Sequence, residues 1–273
     1  MNAVMSEVRP AAVAGMFYPQ AASDLRDEIA GLLAEAAPRV ATGPVPKAII
    51  APHAGYIYSG AVAASAYARL VPAGEQTRRV VVIGPAHRLA FRGLAVPGTE
   101  AFATPLGVVP VDKEAIQRIA SLPDVQVLDA AHADEHAIEV HLPFLQTLFA
   151  DFSLVPIVVG DAAPDSVARL LDALWGGDET AIVISSDLSH YLPYDRANAV
   201  DARTSRAIES LDGRAIGYEQ ACGRLPVAGL LAVAKRRGLS VSRLDLRNSG
   251  DTAGGRTRVV GYGAWAFEEP VGA

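Results

Sequence analysis

Three of the six histidines, His53, His87 and His190, stand a few residues beyond short apolar runs. Lys47-Ala-Ile-Ile-Ala51 leads into Pro52-His53-Ala54-Gly55, and Val80-Val-Val-Ile-Gly84 leads into Pro85-Ala86-His87. Ala181-Ile-Val-Ile-Ser185 leads into Ser186-Asp187-Leu188-Ser189-His190. Imidazole is the commonest metal ligand and titrates near neutral pH, so three of them at one crevice would make a metal or acid/base site. Any one alone reads as a loop or capping residue, and it is the coincidence of the three that points to chemistry.

Other residues extend the set. Asp187 stands three residues before His190, close enough to orient that imidazole for general acid/base work. Asp134-Glu135-His136-Ala137-Ile138-Glu139-Val140-His141 gathers three acids and two histidines at a helix start. Glu135 and His136 are candidate catalytic groups there, and a solvated first turn favoured by the helix dipole is the plainer alternative. The segment is not His-Glu-x-x-His, which removes the metalloprotease reading. Asp251, in the polar turn Asn248-Ser249-Gly250-Asp251, is a third candidate ligand beside His53 and His87; on spacing alone an Asx-turn or helix cap describes it better. Ser186 and Ser189 lack a Gly-x-Ser-x-Gly elbow. Cys222, the single cysteine, opens an apolar helix and is expected to be buried as a small hydrophobe, away from the strand ends and not a ligand. His132 reads as an ordinary loop residue. Arg88 and Arg92 flank His87 and could meet an anion, though arginines are more often solvated.

The elements that must position these groups follow from periodicity. Val- and Ile-rich runs alternate with segments of helical period, the pattern of βαβ units. Helices are predicted over 59–70, 113–121, 135–149, 164–175, 194–211 and 225–237, and further strands over 125–128, 154–159, 181–185, 241–247 and 258–267. Glycines and prolines between 91 and 111 predict a hairpin-like excursion. The 273 residues are 51% hydrophobic and 20% charged, ample for a core. No linker or repeat stands out, so 1–273 is expected to form one domain with flexible tails at 1–8 and 268–273. A net charge of −6 and the lack of a basic run argue against nucleic acid or a membrane surface as partners. No apolar stretch is long enough to span a bilayer and no secretory signal is present, so a cytoplasmic location is expected, in keeping with the single cysteine.

Ala14-Gly15-Met16-Phe17-Tyr18-Pro19, Ala51-Pro52-His53-Ala54-Gly55-Tyr56-Ile57-Tyr58-Ser59-Gly60, Gly84-Pro85-Ala86-His87, Glu135-His136-Ala137-Ile138-Glu139 and Ser185-Ser186-Asp187-Leu188-Ser189-His190 together resemble the Memo family, whose prokaryotic members are labelled AmmeMemoRadiSam system protein B. The resemblance runs from about Arg9 to Phe267. It implies an α/β fold of three layers, a mainly parallel central sheet with helices on both faces, related to class III extradiol dioxygenases. It also implies a non-haem metal held by two histidines and a carboxylate: His53, His87 and Asp251, the last at a position where animal members are said to carry cysteine. A carboxylate there favours Fe²⁺, with copper and zinc as alternatives. His190 with Asp187 then takes the acid/base role. The expected function is a metal-dependent oxidoreductase or dioxygenase-like protein acting on a small molecule; the alternative is a non-catalytic scaffold that binds metal or peptide. The family label further implies a functional link to a radical SAM protein and an AMMECR-type protein.

Overall fold

A computed structural model describes residues 7–40 and 43–270 of the chain. The strands in chain order are β1 (Val8–Arg9), β2 (Ala48–Ala51), β3 (Arg79–Pro85), β4 (Leu94–Val96), β5 (Ala101–Thr104), β6 (Gly107–Pro110), β7 (Val125–Val127), β8 (Ser153–Val159), β9 (Thr180–Ser185), β10 (His190–Leu192), β11 (Ser240–Asn248) and β12 (Val259–Glu268). The helices are α1 (Ala22–Ala36), α2 (Tyr56–Ala68), α3 (Lys113–Ile119), α4 (Ala130–Ala133), α5 (His136–Glu139), α6 (Leu142–Leu148), α7 (Pro164–Leu174), α8 (Tyr194–Glu209) and α9 (Arg224–Arg237).

The central sheet runs β10-β12-β2-β9-β3-β8-β4-β7, with β11 on β12 as well. Its middle, β2-β9-β3-β8, is parallel throughout. The pairs β12·β2, β11·β12, β10·β12 and β4·β8 are antiparallel, so the sheet is mixed and the expected parallel order belongs to its centre. The reason lies in the connections. Helices return the chain to the same end between central strands, whereas β11 and β12 are joined by residues 249–258 with no crossover helix and pair antiparallel. The predicted excursion is the β5–β6 hairpin, which joins β1 in a separate three-stranded sheet.

Two crossovers put helices on both faces. From β2 through α2 to β3 the chain passes over β9 in one direction; from β8 through α7 to β9 it passes over β3 in the other. Both crossovers are right-handed by the general rule for parallel strands, so α2 and α7 lie on opposite faces. Helix α1 packs on α2, and α9 packs on α7, β3 and β9. The four central strands are buried almost entirely, which is why they read as continuous Val/Ile runs rather than as alternation. Their register is what matters for the site: Ala51 pairs with Ser185 and Ile83 with Ile184, so β2, β9 and β3 end level.

Of the tails expected at 1–8 and 268–273, residues 1–6 and 271–273 lie outside the described residues. Val8 belongs to β1, and Glu268 ends β12 and pairs with Arg69 at 2.6 Å, so both ends are tied further out than the boundaries at 8 and 268 allowed. No helix among the described residues is long and apolar enough to cross a membrane.

Candidate metal centre

The level ends of β2 and β3 carry Pro52-His53 and Pro85-Ala86-His87 to one edge, and α5 sits directly on the end of β3. A Cβ on Gly84 would come within 2.9 Å of the Ala137 Cβ, so only glycine admits this approach. His136, the first residue of α5, thereby meets the other two. Ring centroids are 5.1 Å apart for His53 and His87, 5.4 Å for His53 and His136, and 4.5 Å for His87 and His136. One nitrogen from each of the three lies within 4.8 Å of the others.

Hydrogen bonds fix which nitrogens are free. Ser185 donates its hydroxyl proton to the Ala137 carbonyl at 2.6 Å, so toward His53 Nδ1, also at 2.6 Å, it accepts. His53 therefore carries its proton on Nδ1 and leaves Nε2 as an acceptor, facing Cys222 Sγ at 3.4 Å. His87 Nδ1 donates to Glu135 Oε1 at 2.8 Å, which likewise leaves its Nε2 as an acceptor. His136 Nδ1 lies 3.3 Å from the same oxygen without forming a hydrogen bond, and is buried with no partner. Burial, and then the neighbouring imidazoles, hold the pKa of His53 well below the usual range; burial and then His87 pull His136 down to about 4. Both stay neutral near pH 7, the form that ligates. These donors suit a transition metal: neutral imidazoles, tautomers set from behind, and one orphaned ring nitrogen. Metal–nitrogen distances of about 2.1 Å place tetrahedral donors about 3.4 Å apart, so the rings would close in on an ion by rotation.

Glu135 caps α5. It accepts from Ala137 N at 2.9 Å and His87 N at 2.6 Å as well as from His87 Nδ1. Burial raises its pKa, but these donors outweigh burial and hold it below the usual carboxylate range. Glu139 is buried beneath the site and serves structure. It pairs with Arg9 and accepts from Ala12 N at 2.8 Å, Val13 N at 3.0 Å and Tyr18 Oη at 2.5 Å. The N-terminal arm is thereby clamped to the segment that carries His136.

Cys222, just before α9, lies in the site. Its Sγ is 3.4 Å from His53 Nε2. Gly223 allows this, since a Cβ there would stand 2.5 Å from the Ser185 carbonyl oxygen, and its N–H donates to Ser186 Oγ at 3.0 Å. Burial, then the nearby Asp187, push the Cys222 thiol well above its ordinary pKa. His190 lines a cavity of about 1200 Å³ together with His87 and Cys222. Its Nδ1 donates to the Leu188 carbonyl at 2.8 Å, so Nε2 is the nitrogen left to exchange a proton.

Several sequence expectations change. Asp251 is not with the histidines: it closes a capping box, accepting from Asn248 N at 3.0 Å and from Tyr194 Oη at 2.5 Å, so the cap reading of its spacing is the right one. The third member of the cluster is His136, which the sequence placed in a catalytic role. Asp187 does not orient His190; its Oδ1 accepts from His53 N at 2.8 Å and pins the 52–55 turn, and burial raises its pKa. Cys222 is beside the strand ends, not away from them. His132 is buried in α4, bonded to the Ala95 carbonyl at 3.1 Å. Sequence reasoning missed α1 altogether, although Leu25, Ile29, Leu33 and Ala36 mark a helical stripe.

The sequence pattern of the Memo family, described as Memo-like protein, is matched over residues 9–266. A MEMO1 family protein of Aquifex aeolicus is 36% identical over 93% of this chain and 97% of its own length. One from Ignicoccus hospitalis is 39% identical over 96% and 99%, and one from Methanobrevibacter smithii 36% identical over 96% and 100%. Among solved structures, the uncharacterized protein JW3007 from Escherichia coli K12 aligns with a TM-score of 0.49 at 14% identity, covering 80% of this chain and 99% of that one.

Proposed function

Because the chain belongs to the Memo family, we propose that it is a metal-dependent oxidoreductase of the non-haem iron type, acting on a small organic molecule, with His53, His87 and His136 holding one divalent metal. The observation that carries this reading is the convergence of three imidazoles, two with tautomers fixed from behind. Cys222 Sγ is a fourth donor within reach. Three imidazoles accept iron, copper and zinc alike, and only the first two can exchange electrons. When bound, the metal would supply a Lewis acid and a redox partner at the point where the rings meet.

The chain's own residues do the rest. Glu135 holds the His87 ring in place and sets negative charge behind it. Asp187 fixes the turn that presents His53. His190 exchanges a proton with substrate at Nε2 from the wall of the cavity. The radical SAM and AMMECR-type proteins remain proposed functional neighbours, and a cytoplasmic location and the single domain are proposed on the sequence grounds given above.

The test is anaerobic calorimetric titration of Fe²⁺, Cu⁺ and Zn²⁺ into wild type and single variants. Wild type should take up one equivalent of iron; His53→Ala, His87→Ala and His136→Ala should lose it, while Asp251→Ala and His190→Ala retain it. Uptake of Zn²⁺ alone would replace oxidoreductase by metal-assisted hydrolysis. No uptake of any of the three would overturn the reading in favour of a scaffold.

A further inference from the structure

The cavity beside the histidines is basic in a chain whose net charge is −6. Arg196 and Arg203 of α8 and Arg224 at the start of α9 all line it, against one carboxylate, Glu219. Arg196 and Arg203 are seven residues apart, two turns on one helical face, about 10 Å along the axis. Some arginines elsewhere meet acids, as Arg69 does Glu268 and Arg79 does Asp112, while others, such as Arg26, Arg118 and Arg206, stand without an ion pair among the described residues; what sets Arg196, Arg203 and Arg224 apart is that they line one cavity. Among the described residues Arg196, Arg203 and Arg224 form no ion pair. Arg224 Cζ instead lies over the exposed Tyr218 ring, 5.3 Å from its centroid, a cation–π contact that uses none of its donors.

A second recess of about 290 Å³ shares Tyr218, Cys222 and Arg224 with the first and is lined by Leu89, Phe91, Leu225 and Pro226, with the exposed Asp161 as its one carboxylate. A basic arm and a partly apolar arm thus meet at Cys222, beside His53. We propose that this double cleft takes a small organic oxyanion, a carboxylate or a phosphate ester, with an apolar body. The oxyanion lies on Arg224 with Arg196 and Arg203 behind it, the apolar part fills the Leu89–Phe91 recess, and the atoms between reach the metal donors. Arginine's planar fork suits either oxyanion, and unpaired guanidinium groups release no internal partner when the ligand arrives. The inference deepens the metal-centre reading by naming its substrate class, yet binding of the oxyanion does not require the metal.

The probes are phenylacetate, phenyl phosphate and the neutral phenylacetamide, titrated by calorimetry into protein with and without bound metal. Both anions should bind at least about tenfold more tightly than the amide, since charge-assisted bonds are worth about twice neutral ones. Arg224→Gln should weaken the anions about tenfold. The exposed pair Arg196→Gln and Arg203→Gln together should weaken them about five- to tenfold. Arg224→Lys should recover part of the loss, and added salt should weaken the anions and not the amide. Tighter binding of phenyl phosphate assigns a phosphate ester, and of phenylacetate a carboxylate. Equal affinity for the amide, or anion affinities within twofold of wild type in the variants, would overturn the proposal. Metal uptake without oxyanion preference would sink this inference alone; arginine-dependent oxyanion binding in protein that takes up no metal would sink the metal centre alone.

Discussion

Replacing Glu135 by glutamine tests whether the site depends on what stands behind it. Glu135 Oε1 accepts from both His87 Nδ1 and Ala137 N, and Oε2 accepts from His87 N. In Glu135→Gln the remaining oxygen can keep the first two bonds, but the new amide NH₂ faces the His87 backbone N–H, donor against donor. One charge-assisted bond is lost and the part-buried His87 N–H loses its acceptor, which costs about 1.5–3 kcal/mol. The His87 Nδ1 bond survives but drops to the strength of a neutral pair, about half. The metal-free variant should therefore lose about 2–4 kcal/mol in urea unfolding at neutral pH. Orientation of a ligating imidazole by a carboxylate is worth about 10–100-fold in metal affinity, so competition with a chromophoric chelator should show a loss of that size. The depressed pKa adds a signature of known sign. A carboxylate held below its usual range contributes stability in full above that range and loses it as pH falls through the depressed value, so the glutamine variant should lack that part of the acid limb. A Glu135→Gln protein that binds metal within threefold of wild type would refute the orienting role of Glu135.

Two further perturbations probe the frame around the site. His141 is buried against Tyr67 Oη, and burial lowers its pKa to about 3. A histidine held neutral in the fold contributes stability that is full above its unfolded value of about 6.5 and falls away below it, by about 2 kcal/mol at pH 5. His141→Gln, which can still bond Tyr67, should be less acid-sensitive by that amount in urea titrations at pH 7 and 5; an unchanged difference between the two pH values would refute it. Arg9→Met leaves Glu139 charged and buried without its cation, a loss of about 3–5 kcal/mol, and should loosen the N-terminal arm enough for protease to cut there. A variant destabilised by less than about 1 kcal/mol would show that Tyr18 and the two backbone N–H groups suffice.

The strand-to-turn logic was legible because it is local. Apolar runs of fixed length ending at proline specify where His53 and His87 emerge, and the level register of β2, β9 and β3 then brings them together. The helix predicted over 135–149 was harder. Its pattern is continuous, yet the chain breaks into α5 and α6, with Pro143 in the first turn of the second. That break places His136 at a helix start, facing the other imidazoles. The clamp on Glu139 comes from Arg9, 130 residues away, and Cys222 reaches His53 across 169. No window of sequence carries such contacts. Gly84 and Gly223 were the available hints, since each marks a place where another segment must come close.

The misassigned third ligand has a physical cause that bears on function. Spacing suggests which carboxylates could reach an imidazole or a metal, but a carboxylate, buried or not, is drawn first to the unsatisfied N–H groups beside it. Asp187 goes to the His53 turn, Asp251 to its own helix start, Glu139 to the N-terminal arm and Glu135 to the back of His87. What is left facing inward is imidazole, with one thiol beside it. Neutral rings would not cancel the charge of a divalent ion, and Glu135 stands behind the rings rather than among the donors. With an ion bound, the open side of the site would be positive, and the unpaired arginines of the adjoining cleft would add to it. The proposed all-imidazole donors and the proposed anionic substrate would then share one origin: Asp187, Glu135 and Glu139 are spent on holding the backbone that presents the rings.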